Sequence, residues 1–285
     1  MSTPRDPARI TNDPDGIFAV DTRPDAPPEG TSWSSWDGAS HGPSPRPDWV
    51  VTELGAVDAD LGILKTGKEA DVHVVRRWVP DQGHREAVMA AKRFRDSTHR
   101  LFHRDAGYLD GRRVRRSRET RAMARRTDFG KEVIAAQWAG AEFATLARLW
   151  TLGLPVPYPV QLDDRELLME LVLDPDGQPA PRLAQARPDQ RLLPELFEQL
   201  RHVMEQLADL GWAHGDLSAY NVLLAGDRLV VIDWPQIVDV VGNPNGMAYL
   251  ERDARTVAEW FTRRGYAVDA DELVGDLVAV ASGRW

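Results

Sequence analysis

His214-Gly215-Asp216-Leu217-Ser218-Ala219-Tyr220-Asn221 is the stretch from which the fold of this chain can be read. It places an aspartate and an asparagine five residues apart, a spacing that lets both side chains of one loop converge on a single metal–phosphate centre. Two apolar, β-branched runs follow, Val222 to Leu224 and Leu229 to Ile232, joined by the turn residues Gly226-Asp227. The second run delivers another carboxylate, Asp233. In phosphoryl transfer one carboxylate orients the attacking hydroxyl or water, while an amide oxygen and a second carboxylate hold Mg²⁺ against the phosphates. An isolated Asp-x₄-Asn would read as a turn with ordinary Asx capping. The strand pair and Asp233 behind it reverse that reading.

Composition narrows the chemistry further. The chain has 285 residues, 42% of them hydrophobic and 28% charged, enough for one large core or two lobes. With no cysteine, disulfides, thiolate zinc sites, iron–sulfur clusters and thiol nucleophiles are excluded. No run approaches the roughly 20 apolar residues of a membrane span, and the N-terminus lacks the apolar core of a signal peptide. A soluble, unexported, cytoplasmic protein without a membrane partner is expected. The net charge of −9 argues against indiscriminate nucleic-acid binding, and no DNA partner is expected. That average hides one basic arm. Between Lys92 and Lys131 there are 14 Lys and Arg against 5 Asp and Glu, so this segment carries +9 and the rest of the chain −18. Lys65, Lys68, Lys92 and Lys131 are the only lysines beside 31 arginines, so a retained lysine reads as a need for a compact point charge.

Residues 1–48 hold 9 of the 20 prolines and no apolar periodicity, and are expected to be a disordered tail. Trp33 and Trp36 leave a short docking motif as the alternative. From Trp49 onward, Gly62 to Leu64, Asp71 to Trp78 and Ala87 to Phe94 read as an antiparallel meander, with Asp81-Gln82-Gly83-His84 as one of its turns. Glu132 to Leu149 has mostly helical spacing and stops before Gly153. Gln161 to Val172 reads as strand, turn at Asp163-Asp164 and strand, and Pro194 to Leu210 as a helix ended by Gly211. Helical patterns close the chain at Ala248 to Arg264 and Asp269 to Ala281. A strand-rich half with one helix, then a mostly helical half, predicts an α+β architecture of two lobes.

The spacing His-x-Asp-x₄-Asn and the strand ending in Asp233 resemble the catalytic and metal loops of the protein-kinase superfamily. Val88-Met89-Ala90-Ala91-Lys92 resembles its V-A-x-K strand, in which a small Ala90 leaves room for adenine and Lys92 meets the phosphates. Glu142, a carboxylate among small and apolar residues, would be the ion-pair partner of that lysine. Lys65-Thr66-Gly67-Lys68-Glu69-Ala70-Asp71-Val72 lies between strand-like runs, where backbone amides and a lysine can cover phosphates. Gly62 to Lys68 also satisfies G-x₄-G-K, but Glu69 stands where Ser or Thr would bind Mg²⁺ and no helix follows, so a P-loop is rejected. The segment equally lacks the G-x-G-x-x-G of ordinary kinases.

T-G-K-E-A-D-V, H-G-D-L-S-x-Y-N and I-D-W-P-Q together resemble the atypical RIO serine/threonine kinases, from about Trp49 to about Arg264. Glu142 within W-A-x-x-E-F, the linker G-L-P-V-P-Y-P and Leu168-Met169-Glu170 extend the resemblance. No winged-helix pattern precedes Trp49, which favours the branch without one. The resemblance implies a bilobal kinase-like fold, with an antiparallel-sheet N-lobe carrying one long helix over 49–170, a basic flexible loop at 93–131, and a reduced, mainly helical C-lobe over 171–285. It implies ATP and Mg²⁺, with Mn²⁺ as the alternative ion. Asp216 would be the catalytic aspartate, and Asn221 and Asp233 the metal ligands. Thr66, Gly67, Lys68, Glu69, Ala90, Lys92, Glu142, Met169, Glu170, Val172, Ser218, Leu223 and Ile232 would form the nucleotide site. The resemblance also suggests that Asp233 accepts phosphate transiently, making the protein a switching ATPase as much as a kinase.

Arg112, Arg113, Arg115, Arg116 and Arg118 mark the densest part of the basic arm, suited to phosphate backbones or an acidic protein surface. The resemblance associates this loop with a protein substrate or a ribosomal RNA–protein particle; a solvated charged helix is the alternative. Ser97, Thr98, Ser117, Thr120 and Thr127 offer hydroxyls for autophosphorylation. Two other functions remain open at this point: a small-molecule phosphotransferase of the aminoglycoside-kinase type, and a nucleotide-gated assembly factor without turnover.

Overall fold

The computed structural model describes residues 10–12, 18–20, 26–80, 85–95, 128–234 and 237–283. It is an α+β protein that divides into two compact units, 1–95 with 159–171, and 96–158 with 172–285. The basic run at Arg112 to Arg118, the five candidate phosphorylation sites, the turn at 81–84 and Pro235-Gln236 lie outside the described residues. No described helix is long and apolar enough to cross a membrane.

In the first unit a short hairpin pairs β1 (Ile10–Asn12) with β2 (Phe18–Val20). Next along the chain come β3 (Ser32–Trp33), a 3₁₀ turn at Trp36–Gly38, and β4 (Ser40–His41). Three long strands follow: β5 (Val57–Thr66), β6 (Ala70–Trp78) and β7 (Glu86–Phe94), the meander that the sequence predicts. After the excursion into the second unit, β8 (Pro159–Asp163) and β9 (Glu166–Glu170) turn about Asp164, whose φ is +47°. The antiparallel sheet has the order β3-β5-β6-β7-β9-β8-β4.

This order corrects the disorder expected of residues 1–48 at positions 32–41. β3 pairs with β5 at one end of the sheet (Trp33 opposite Val57) and β4 with β8 at the other (His41 opposite Gln161). A flat seven-stranded sheet would separate those ends by roughly 29 Å at about 4.8 Å per strand. The chain from Trp33 to Ser40 reaches at most about 25 Å even when fully extended. The sheet therefore has to curl, and residues 34–39 strap its two ends together. The composition argument missed this because the strap's bonding partners lie far away in sequence. Trp36 is buried, stacks on His41 with ring centroids 3.8 Å apart, and is covered by the Arg46 guanidinium. Ser35 accepts a hydrogen bond from Gln161 (2.8 Å), Gln161 accepts one from Arg77 (2.8 Å), and Arg77 makes a two-pronged pair with Asp58 (2.7 and 2.8 Å). Arg77 and Gln161 are fully buried, so the strap completes a polar chain that would otherwise end inside the sheet.

The second unit holds α1 (Asp128–Thr151), α2 (Leu193–Asp209), α3 (Gly246–Arg263) and α4 (Ala270–Ser282). The long helix groups with this unit by compactness, whereas the sequence assigns it to the strand-rich lobe. Its buried stripe is Ala135, Ala139, Glu142, Leu146 and Leu149, and the chain turns away at Gly153 (φ +82°) ahead of Pro155. α2 buries Leu196, Leu200, Val203 and Leu207 at helical spacing; Phe197 meets Phe261 of α3 edge-on at 5.4 Å. The Asp269 side chain caps α4 by accepting from the backbone of Asp271 and Glu272. Two short sheets complete the unit: β10 (Trp212–Ala213) with β13 (Val238–Asp239), and β11 (Val222–Ala225) with β12 (Arg228–Val231).

The strap makes a direct prediction. Trp36→Ala should cost about 3 kcal/mol, and deleting residues 1–48 should lower the thermal midpoint by several degrees. An unchanged midpoint for the truncated chain would restore the disordered-tail reading.

Candidate active site

α2 ends at Gly211 (φ +74°), and the two-residue strand β10 carries the chain straight into His214. Gly215 has φ +86°, a left-handed turn that glycine adopts without strain, and Asp216 follows half-buried. A 3₁₀ turn at Ala219–Asn221 closes the loop, and β11 starts at the next residue, Val222. Asn221 is 7% exposed and donates its side-chain N–H to the Asp216 carbonyl at 2.9 Å, fixing the amide with Oδ1 pointing the other way. Its own carbonyl accepts from the backbone N–H of Ile232 at 2.9 Å, which ties this loop to the segment just after β12 that carries Asp233.

Asp233 itself is held on both sides. His214, 1% exposed, donates from Nε2 to the Ile232 carbonyl at 3.1 Å. Trp234, fully buried, donates its indole N–H to the Val231 carbonyl at 3.0 Å and packs on the His214 ring. Because a carbonyl only accepts, the His214 ring proton sits on Nε2, leaving Nδ1 toward the Asp216 N–H at 3.4 Å. Between these anchors Asp233 adopts φ +69°, a left-handed conformation that Asp tolerates better than most residues. The Asp233 carboxylate and the Asn221 amide oxygen are hard-oxygen donors of the kind that would suit Mg²⁺.

One residue that matters to this loop was missed in the sequence. Asp253 of α3 is 2% exposed and accepts from the backbone N–H of both Gly215 (2.7 Å) and Leu217 (3.0 Å), the residues flanking Asp216. The neighbouring Arg252 donates to the Gly215 carbonyl. Burial pushes the Asp253 carboxyl above its ordinary value, against the pull of the two N–H groups and of the Arg252 guanidinium. The signal was available: Asp253 lies on the buried stripe Leu250, Ala254, Val257 and Phe261, where a charged side chain needs a reason.

In the first unit, Ala90 and Lys92 lie on one face of β7, opposite Met169 and Leu167 of β9. Lys92 is 9% exposed, with its ammonium 5.2 Å from the Phe94 ring. Ala90 is buried, and Met169 and Glu170 are half-buried where β9 ends. The β5–β6 turn is exposed at Thr66, Gly67 and Lys68. It closes through Gly67 N–H to the Ala70 carbonyl and Arg95 N–H to the Glu69 carbonyl, both 2.9 Å. A Cβ on Gly67 would come within 2.9 Å of that same Ala70 oxygen, so the position requires glycine. Asp60, within β5, has its carboxyl lowered to about 2: burial opposes the shift, and hydrogen bonds from Arg93, Gly62 and His73 outweigh it. In the second unit Glu142 is 1% exposed, and Val172 and Leu223 share a cluster with Val230. The structure thus gathers Asp216, Asn221 and Asp233 in one unit, and Ala90, Lys92 and Met169 on one face of the other.

Residues 84–273 match the RIO domain family. The chain belongs to the RIO family of serine/threonine kinases. It is 37% identical over 227 residues to the RIO-type serine/threonine-protein kinase Rio1 of Haloferax volcanii, covering 79% of this chain and 71% of that protein. It is 30% identical over 223 residues to human serine/threonine-protein kinase RIO3, covering 76% of this chain and 41% of the relative. Identity to rio2 of Schizosaccharomyces pombe is 28% over 201 residues, covering 70% and 51%. The RIO match includes the whole of the His214–Asn221 loop, Asp233 and Asp253.

Replacing Asp253 by Ala should strand two buried N–H groups at a cost on the order of 1–3 kcal/mol each. Loss of the buried charge offsets part of this. Asp253→Asn, which keeps one acceptor, should be milder in urea unfolding yet still depress turnover, because the backbone on either side of Asp216 loosens. Full activity in both variants would show that the loop holds its geometry without Asp253.

Proposed function

We propose that this RIO-family chain transfers the γ-phosphoryl group of ATP, with Asp216, Asn221 and Asp233 as its chemical centre. What supports this reading is the coupling of those three residues: Asn221 is bonded to Asp216 through its side chain and to Ile232 through its carbonyl. In this reading Asn221 and Asp233 hold Mg²⁺, which neutralises charge on the phosphates when bound. Asp216 orients the attacking hydroxyl and takes up its proton. Lys92 meets the phosphates. Ala90, Met169, Glu170, Val172, Leu223 and Ile232 receive the adenine end, with Thr66, Gly67, Lys68, Glu69 and Ser218 around the phosphates. Glu142 orients Lys92. Family membership favours a serine/threonine kinase over a small-molecule phosphotransferase.

The left-handed Asp233 favours a further role, since its carboxylate is set apart from the strand before it. Its oxygen attacks the γ-phosphorus, the bond to ADP breaks, and Asp216 then positions water to hydrolyse the acyl phosphate. Radiolabel from γ-labelled ATP should be released by hydroxylamine and be lost in Asp233→Asn. Asp216→Ala should abolish turnover while leaving Mg²⁺-ATP binding nearly intact. Turnover at the wild-type rate in Asp216→Ala would overturn the assignment, and label confined to Ser or Thr would leave a conventional kinase without an aspartyl intermediate. Nucleotide binding with no turnover in the wild type would favour a nucleotide-gated assembly factor.

For the partner, the basic run supports a ribosomal or other RNA–protein particle, or an acidic protein substrate. Charge reversal at Arg112, Arg113, Arg115 and Arg116 should weaken that binding and flatten its salt dependence, with ATP affinity unchanged. Undetectable binding of RNA, particles and acidic proteins by the wild type would reduce the run to a solvated face.

A further inference from the structure

Arg182 belongs to none of the motifs so far used. The segment Pro181–Leu183 runs along β11 as a third, irregular strand. Leu183 N–H bonds to the Val222 carbonyl at 2.8 Å, Leu224 N–H to the Pro181 carbonyl at 2.9 Å, and Arg182 stands opposite Leu223. Side chains opposite one another in an antiparallel pair share a face. Leu223 in turn stands opposite Val230, and Ile232 follows two residues later on the same side. Arg182 therefore shares a face with Leu223, Val230 and Ile232, the face that leads to Asp233.

Its guanidinium is half-buried, and among the described residues it makes no side-chain hydrogen bond or ion pair. Burial disfavours its charge, while attraction to the Asp233 carboxylate at longer range retains it. A partly desolvated guanidinium presents five fixed donors that call for oxygen acceptors. A phosphate group beside Asp233 would supply them in the planar, two-pronged geometry for which arginine is suited.

We infer that Arg182 is a phosphate-binding residue of this site, donating to phosphate oxygens of the bound nucleotide next to Asp233. The inference rests on the ATP reading above and adds a cation from within the same unit as Asp216 and Asp233. It also gives Arg182 two successive partners. Before nucleotide enters, it balances the Asp233 charge from a distance; afterwards it contacts phosphate directly.

The test is calorimetric titration of the full chain with ATP, ADP and adenosine in the presence of Mg²⁺. Arg182→Met keeps an unbranched apolar stem and removes the donors. It should weaken ATP and ADP roughly tenfold or more, the size of a lost charge-assisted contact, and leave adenosine within about twofold. Arg182→Lys, which restores charge without the fork, should recover part of the loss and serves as the second variant if the methionine chain does not fold. Unchanged ATP and ADP affinities would overturn the inference and leave Arg182 as a counter-charge to Asp233. An equal loss for ATP, ADP and adenosine would overturn it in favour of a packing role. If the wild type binds neither ATP nor ADP, the reading of the site falls and this inference with it.

Discussion

A single buried carboxylate sets the geometry on which the rest of the site depends. Asp253 holds the backbone on both sides of Asp216, and it does so from a helix whose own position is fixed by apolar packing. The loop around Asp216 has little regular structure of its own: a two-residue strand, a glycine turn and one 3₁₀ turn. Such a loop carries backbone donors that neither strand nor helix satisfies. Asp253 satisfies two of them at once, and the energetic penalty of burying its charge is the cost of a stationary Asp216. From there the order propagates: Asn221 is bonded to Asp216, Ile232 to Asn221, and His214 to Ile232.

The parts of this protein that were legible in the sequence are those whose meaning is local. Asp216, Asn221 and Asp233 stood out as candidates because their spacing and the strand pair between them sit within a score of residues. The three-stranded meander and the helices announced themselves by alternation and by period. Glu142, expected to matter because it interrupts small and apolar residues, does sit on the buried stripe of α1. Fold class and family were thus readable.

What could not be read are the residues whose role is assigned by distant partners. The Pro-rich segment before Trp49 has no periodicity, since the two strands that join it to the large sheet, β3 and β4, are only two residues long each and draw their register from Val57 and Gln161. Asp253 resembles any helical acid until the loop 36 to 38 residues before it is seen to donate to it. Arg182 is one arginine among 31, and only its pairing with Leu223 brings it to the face that leads to Asp233. In each case the deciding contact is made across the sheet or between a helix and a loop, where one-dimensional pattern carries no information.

The strap also dictates when this protein can become itself. Ser35 must wait for Gln161, which is 126 residues further along, and His41 must wait for the same strand. On a ribosome the first unit's sheet therefore stays open at one end until β8 and β9 have emerged, by which time the long helix has already been made. Contacts of that sequence separation are slow to form, because the loop entropy is lost before any bond rewards it. The strap, synthesised well before the strand it binds, is among the last parts of its unit to settle, and its docking marks the moment at which the curled sheet is complete.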